Sequence, residues 1–274
     1  MRQRPFDWSS PPCSARRAAI ALLAVSILGF ASAGCGGPPV KKPADLKTSM
    51  VFVPAGEFIM GRDDGDKDEQ PQRRVWLDAF YIDRTEATTA QFKAFCDATG
   101  YLYPNNPEGD ANYFLGHPQW PVVNITWDQA AAYCKSSGKR LPTEAEWEKA
   151  ARGTDGRKYP WGNDWADSTG NFFGTDSFRR ASPVGSFPAG ASPYGALDMA
   201  GNVWEWCGDW YLLNAYASAP ARNPPGPPGP TPWRVARGGS FTSPKSDAEV
   251  ANRSKAPPTQ VLHHLGCRCV WSPH

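Results

Sequence analysis

The sequence predicts a single α+β domain that has little regular secondary structure and many loops. Its 274 residues are enough for one large domain or two small ones. The 26 glycines, 28 prolines, 12 tryptophans, 13 phenylalanines and 9 tyrosines favour a loop-rich fold held by aromatic side chains, and they argue against a helical bundle. Charged residues make up 20% of the chain and the formal net charge is +2, which argues against a disordered polyelectrolyte and a nucleic-acid-binding surface.

Two short apolar runs predict the first β-strands of this domain. They cover residues 50–54 and 75–82, and both are bounded by polar or turn-forming residues. Runs of this length and composition are typical of strands that are buried on at least one face.

Three helix starts share one pattern, in which a threonine is followed three residues later by glutamine or glutamate. In such a capping box the threonine oxygen accepts a hydrogen bond from a free backbone N–H, and the later side chain reaches back. The first helix is expected to end near Gly100 and the second near Gly138. The pairs are Thr88 and Gln91, Thr126 and Gln129, and Thr143 and Glu146.

Three glutamates, Glu144, Glu146 and Glu148, crowd the start of the third predicted helix. The helix dipole favours anions at this position. We interpret the three side chains as capping and solvated charges rather than as general acids.

After about residue 153 the chain becomes irregular and rich in glycine, proline, asparagine and tryptophan. Trp204 and Trp206 alternate in an extended segment, which favours core anchors over a carbohydrate platform. The proline-rich run at 223–230 is interpreted as an extended surface loop.

Residues 1–34 predict a lipoprotein signal peptide. Four arginines precede an apolar run over 18–33, which is short for a membrane-spanning helix and ends in small residues. Cys35 follows directly, and we expect its thiol to carry a lipid, although Ser32 stands where leucine is usual. The alternative is an ordinary signal peptide with an incidental cysteine.

This organisation predicts three parts: the signal peptide, a lipidated cysteine with a flexible tether over 35–48, and the folded domain over 49–274. The protein is therefore expected to be exported and lipid-anchored in a bacterial cell envelope. Gly36 is not an acidic retention signal, which favours the outer membrane over the inner membrane.

Five motifs in order carry a resemblance to a known family: GKRLPTEAEWEKAARG at 138–153, PWGN at 160–163, ALDMAGNVWEWCGDWY at 196–211, RVARGGSF at 234–241 and LGCRC at 265–269. With them the chain closely resembles the formylglycine-generating enzyme, or sulfatase-modifying factor, family from about residue 50 to 270. The resemblance implies a C-type-lectin-like fold. It also implies an enzyme that oxidises a sulfatase cysteine to formylglycine with O₂ and copper.

The sequence departs from this family at the residues that carry its chemistry. The family's reaction depends on two cysteines shortly after the GGS motif, because thiolates are soft ligands that suit Cu(I). Ser243 stands at the first position and the second falls near 245–248, and no cysteine occurs between Gly208 and Gly266. We therefore expect neither copper binding nor the oxidase reaction.

The resemblance implies that one structural cysteine pair, Cys134 and Cys269, forms a disulfide. Cys96 lies on an apolar helix face with Phe92, and a buried free thiol is expected there. Cys207 and Cys267 are left open between a bridge and two free thiols.

The resemblance also implies two oxygen-rich sites at which calcium could bind. The alternative is that Asn202 and Asp209 form hydrogen bonds in turns without metal. His263 and His264 are interpreted as a surface or satisfied pair rather than a zinc site. The implied ligands are Asn171, the carbonyls of Phe172 and Phe178, and Asp176 at the first site, and Asn202, the carbonyl of Val203 and Glu205 at the second.

These observations predict a lipid-anchored, non-catalytic module for recognition or assembly. The loops at 101–120 and 161–178, with the proline-rich run, would contact a protein partner in the envelope or, as the second choice, a glycan. One alternative is a formylglycine-generating oxidase or a divergent oxidoreductase. Another is a purely structural coat protein.

Overall fold

The computed structural model describes residues 49–174 and 177–273. The predicted signal peptide, Cys35 and the tether to residue 48 lie outside the described residues, as does the predicted calcium ligand Asp176. Within the described ranges, no helix has the length and apolar character needed to cross a membrane.

The strands in these ranges form three small sheets, with the orders β1-β4-β9, β2-β3 and β7-β6-β5-β8. The first two sheets are antiparallel, and in the third β5 pairs in parallel with β8. The strands are β1 Met50–Val53, β2 Gly56–Met60, β3 Arg73–Leu77, β4 Phe80–Asp83, β5 Trp204–Trp210, β6 Arg234–Arg237, β7 Ser254–Ala256, β8 Leu265–Gly266 and β9 Val270–Trp271.

Short helices pack around these sheets and are connected by long loops. The α-helices are α1 Thr89–Thr99, α2 Tyr113–Gly116, α3 Trp127–Ser136, α4 Glu144–Arg152 and α5 Ala215–Ser218, with 3₁₀ turns at Pro188–Gly190 and Lys245–Ala248. The mixture of short helices, small sheets and loops confirms the predicted α+β class.

All three predicted capping boxes are present at the starts of α1, α3 and α4. The cap of α1 is followed by a regular helix that ends at Gly100, whose φ of 77° only glycine adopts without strain. Helix α3 ends at Ser136, two residues before the predicted Gly138. The local pattern was sufficient here because each cap is made within four residues of sequence.

The predicted strand over 75–82 is wrong as one element, because the chain changes sheets in its middle. β3 pairs with β2, whereas β4 pairs with β1 and β9. Asp78 lies at the break, and its N–H donates to the side-chain oxygen of Asn223. The Asp78 carboxylate in turn accepts hydrogen bonds from the side chains of Asn223 and Arg222.

This contact also places the proline-rich segment that begins at Asn223. The segment is not simply a surface loop, because Pro224 is buried. A Cβ on Gly226 would lie 2.3 Å from the Asp209 carboxylate, and one on Gly229 would lie 1.8 Å from the Trp210 indole. The segment therefore packs closely along β5.

The core contains the tryptophans that the sequence predicts as anchors. Trp206 is fully buried, and Trp204 is 9% exposed. The Cys134–Cys269 disulfide is confirmed, and it ties α3 to the residue before β9. Cys96 is a buried free thiol as predicted, and Cys207 and Cys267 are also free and buried.

The glutamates at the start of α4 are buried, so the prediction of solvated charge is wrong. Glu144 forms a two-point ion pair with Arg253, and Glu148 pairs with both Arg152 and Arg237. Helix α4 contacts strands of two sheets, β2 and β3 in one and β5 and β6 in the other, which places its first turns inside the fold. Arg237 and Arg253, which are distant in sequence, and Arg152, one turn along α4, supply the compensating charge.

Candidate functional site

The GGSF motif forms a tight turn directly after β6. Gly238 and Gly239 have φ values of 104° and 74°, which other residues rarely adopt. A Cβ on Gly239 would lie 2.9 Å from the carbonyl oxygen of Asp247, and one on Gly238 would lie 3.1 Å from the Trp147 ring. The two glycines therefore allow the chain to turn sharply and present the residues that follow.

Those residues form a small cluster of hydroxyl groups. The Ser240 hydroxyl lies 2.9 Å from that of Thr242 and 3.4 Å from that of Ser243. Ser240 and Ser243 are both buried, and the Ser243 N–H donates to the Ser240 carbonyl. The Ser243 carbonyl accepts from the N–H of Phe173. Ser243 is thus a packed, hydrogen-bonded residue.

The position expected for the family's second cysteine falls in the 3₁₀ turn Lys245–Ala248. Ala248 is 1% exposed and packs with Tyr159 and Phe172. Serine and threonine hydroxyls are hard donors without redox chemistry, so this donor set does not fit copper. The free thiols of the described residues, Cys96, Cys207 and Cys267, lie buried elsewhere in the core.

A cleft of about 500 Å³ opens beside this cluster. Its wall includes Phe241 and Thr242, the two residues directly before Ser243. The described residues that line the cleft are Pro107, Glu108, Tyr113, Arg179, Arg180, Ala181, Phe241, Thr242 and His263.

His263 lies at the edge of the cleft and is exposed, whereas its neighbour His264 is half-buried. Their rings are 4.7 Å apart in an edge-to-face arrangement. Burial, with a smaller effect from His263, lowers the pKa of His264 to about 4, so His264 is neutral at pH 7. No cluster of three or more metal-binding side chains occurs in the described ranges.

A buried polar network lies behind the hydroxyl cluster. The Asn202 side chain donates to Glu86, and its oxygen accepts from the N–H of Ser182. Asn171 donates to the carbonyl of Arg180, and the Asn171 side-chain oxygen is buried with no partner among the described residues. The network therefore contains two buried oxygens without a partner among the described residues, Asn171 Oδ1 and Glu86 Oε2.

Glu86 and Asp198 are adjacent buried acids that sequence reasoning missed. Burial and the neighbouring Asp198 raise the pKa of Glu86 well above its usual range. The pKa of Asp198 is also raised by burial, while the N–H of Gly185 donates to its carboxylate. Asp198 lies in the sequence motif at 196–211, and this motif is the feature of the sequence that could have identified it as a candidate site residue.

Glu205, a predicted calcium ligand, is fully occupied by protein donors. Arg268 binds its two carboxylate oxygens at 2.6 Å, and the Trp147 indole N–H donates to one of them at 2.8 Å. The amide of Asn202 is also used in hydrogen bonds within the protein. The second predicted site therefore does not fit calcium as proposed from the sequence.

The first predicted calcium site retains a suitable donor. The buried, unpartnered oxygen of Asn171 is the kind of hard ligand that calcium prefers. Phe172 and Phe178 lie in the same loop, on either side of Asp176. The residues present at this site are compatible with calcium.

A second cavity of about 440 Å³ lies on α3 and contains Asp209. Burial, with a smaller contribution from Glu144, raises the pKa of Asp209 to about 7. Its carboxylate accepts a hydrogen bond from the Glu144 N–H at 2.8 Å. Asp209 lies in β5, so this hydrogen bond joins that strand to the first residue of α4.

Comparison with known proteins agrees with these features. Residues 38–273 match the family described as sulfatase-modifying factor enzyme 1-like domain. The chain is 35% identical over 297 residues to the formylglycine-generating enzyme of Thermomonospora curvata, covering 86% of this chain and 97% of that enzyme. The solved structure of PvdO from Pseudomonas aeruginosa has a TM-score of 0.70 at 28% identity, covering 84% of this chain and 98% of PvdO.

A further relative is a much longer protein. The chain is 38% identical over 244 residues to the serine/threonine-protein kinase pkn1 of Chlamydia caviae. The matching region covers 83% of this chain but 38% of that kinase.

Proposed function

Because the chain belongs to the sulfatase-modifying factor enzyme 1-like family but lacks that family's thiol pair, we propose that it is a non-catalytic recognition protein. The function would lie in the cleft beside Ser243, where a ligand can be held without being oxidised. A rigid fold that presents loop residues around one cleft is a common basis for binding.

The chemistry at Ser243 is the observation that carries this proposal. The Ser240 hydroxyl hydrogen-bonds to those of Thr242 and Ser243. The position expected for the family's second cysteine falls near Ala248, whose side chain is apolar and buried. No residue in this set can cycle through a disulfide or hold Cu(I) as a thiolate. The set supports binding rather than oxidation.

The proposed location is the bacterial cell envelope. The signal-like residues 1–34, Cys35 and the tether support a lipid anchor, with the outer membrane favoured over the inner membrane. The proposed partner is another envelope protein, with a glycan as the second choice.

An assay for aldehyde formation tests this proposal. We expect the purified full chain, supplied with Cu(I), O₂ and a peptide containing Cys-x-Pro-x-Arg, to form no more aldehyde than its Ser243→Ala variant. Mass spectrometry of the peptide measures the product. The Thermomonospora curvata enzyme, named for this activity, serves as the positive control. Aldehyde above the level of the Ser243→Ala variant would overturn the proposal and favour the oxidase alternative.

We further propose that calcium binds at Asn171, with the carbonyls of Phe172 and Phe178 and the carboxylate of Asp176. The unpartnered buried oxygen of Asn171 supports this assignment. Bound calcium would satisfy this oxygen, and it would take no part in a reaction.

Calcium is expected to raise the melting temperature of chelator-treated protein by roughly 5 °C at about 100 times its dissociation constant. The Asn171→Ala variant should lose most of this increase, because it lacks the buried ligand. Asn214→Ala is the matched control, since the Asn214 side chain forms no capping hydrogen bond. Equal melting temperatures of the unmodified protein with calcium and with chelator would contradict the site.

A further inference from the structure

The cleft beside Ser243 carries two arginines whose charges are not compensated by acidic side chains of the described residues. Arg180 donates to the carbonyl oxygens of Glu108 and Gly109, each at 3.0 Å. Arg179 is exposed and forms no ion pair with any described residue. Among the described lining residues, Glu108 is the one acidic side chain beside Arg179 and Arg180, so these described residues carry an excess of positive charge.

The two carbonyl bonds orient the Arg180 guanidinium before any ligand arrives. A guanidinium has five N–H donors in a planar fork, and backbone carbonyls occupy only part of this set. Because these acceptors are neutral, the positive charge remains available for an anion. A carboxylate is the group whose geometry best matches such a fork.

The other walls of the cleft favour an extended chain over a sugar ring. Tyr113 is 3% exposed and its hydroxyl donates to the carbonyl of Pro121, so it presents no open aromatic face. Phe241 is half-buried, with its ring 5.8 Å from that of His263. A sugar would need an exposed ring on which to stack, whereas acidic side chains need only the cations and a narrow apolar strip.

We propose that this cleft binds a peptide segment rich in aspartate or glutamate, whose carboxylates contact Arg179 and Arg180. This inference rests on the proposed recognition function and names the chemistry of its ligand. A peptide with a basic residue at the same place would be repelled. The charge of the cleft thus sets which partner proteins can be bound.

Fluorescence anisotropy with a labelled hexaglutamate peptide and the full chain in detergent tests the proposal. We expect saturable binding that weakens about 10-fold when NaCl rises from roughly 0.05 to 0.5 M. The Arg179→Glu/Arg180→Glu variant should bind at least about 30-fold more weakly. Labelled hexaglutamine and hexalysine should not bind. Lys135→Glu is the control, because Lys135 is an exposed cation outside this cleft.

Arg180 also holds residues 108 and 109, so Arg179→Glu alone provides a variant that keeps those hydrogen bonds. Circular dichroism would confirm that each variant is folded. Equal hexaglutamate affinity in the unmodified protein and in Arg179→Glu would overturn the proposal. Tighter binding of trigalacturonate than of hexaglutamate would also overturn the proposal. That result would assign the cleft to an acidic glycan and would leave the proposed recognition function intact. Aldehyde formation in the assay above would instead reject the recognition function itself.

Discussion

Replacing Arg268 with methionine is expected to lower the free energy of unfolding by about 3–5 kcal/mol. Arg268 is fully buried and binds both carboxylate oxygens of Glu205. Its removal leaves the Glu205 charge in the core with only the Trp147 indole as a donor. It also removes hydrogen bonds to four backbone carbonyls, those of Asp83, Arg84, Leu197 and Asp198.

Urea denaturation would measure this loss, with Arg157→Met as the matched control. Arg157 also pairs with a carboxylate, but its partner Asp155 is 56% exposed at the side chain. Water screens such a pair, so the control should lose less than about 1 kcal/mol. Similar losses in the two variants would show that burial of the Arg268 pair has no special energetic consequence.

Removing the Cys134–Cys269 disulfide by replacing both cysteines with alanine is expected to lower the free energy of unfolding by about 4–5 kcal/mol. The two residues are 135 positions apart in sequence. In the chain-entropy model, a bridge across so long a loop strongly restricts the unfolded chain. The expected result is a large fall in the urea midpoint under non-reducing conditions.

Cys96→Ala controls for the loss of a buried sulfur atom. Cys96 is a free thiol at 2% exposure, and its replacement should cost about 1 kcal/mol. Reductant should lower the stability of the unmodified protein toward that of the double variant and leave the double variant unchanged. An unmodified protein as stable with reductant as without it would contradict the prediction.

Much of the local structure could be predicted because its determinants are close in sequence. Thr88, Thr126 and Thr143 each accept a hydrogen bond from the N–H three residues later, so a four-residue pattern is sufficient. The resemblance to the family predicted the Cys134–Cys269 disulfide, which cysteine spacing alone could not have assigned. It also identified Ser243 as the residue at the position of the family's first cysteine.

Other features depended on partners that no local pattern identifies. The break between β3 and β4 at Asp78 is made by Asn223, 145 residues away. Glu144 is buried because Arg253, 109 residues away, supplies its counter-charge. The sequence does not show whether a glutamate is exposed or is buried and paired, and only the packing around α4 decides this for Glu144.

The candidate site shows the same division. The amino-acid sequence alone determines that no thiols follow the GGS turn, because the identity of each side chain is given by the sequence and does not depend on folding. Only the tertiary structure brings Arg179 and Arg180 to the cleft beside Thr242, and only it commits Glu205 to Arg268. Charge and coordination act across a few ångströms of space, and folding decides which distant side chains come within that range.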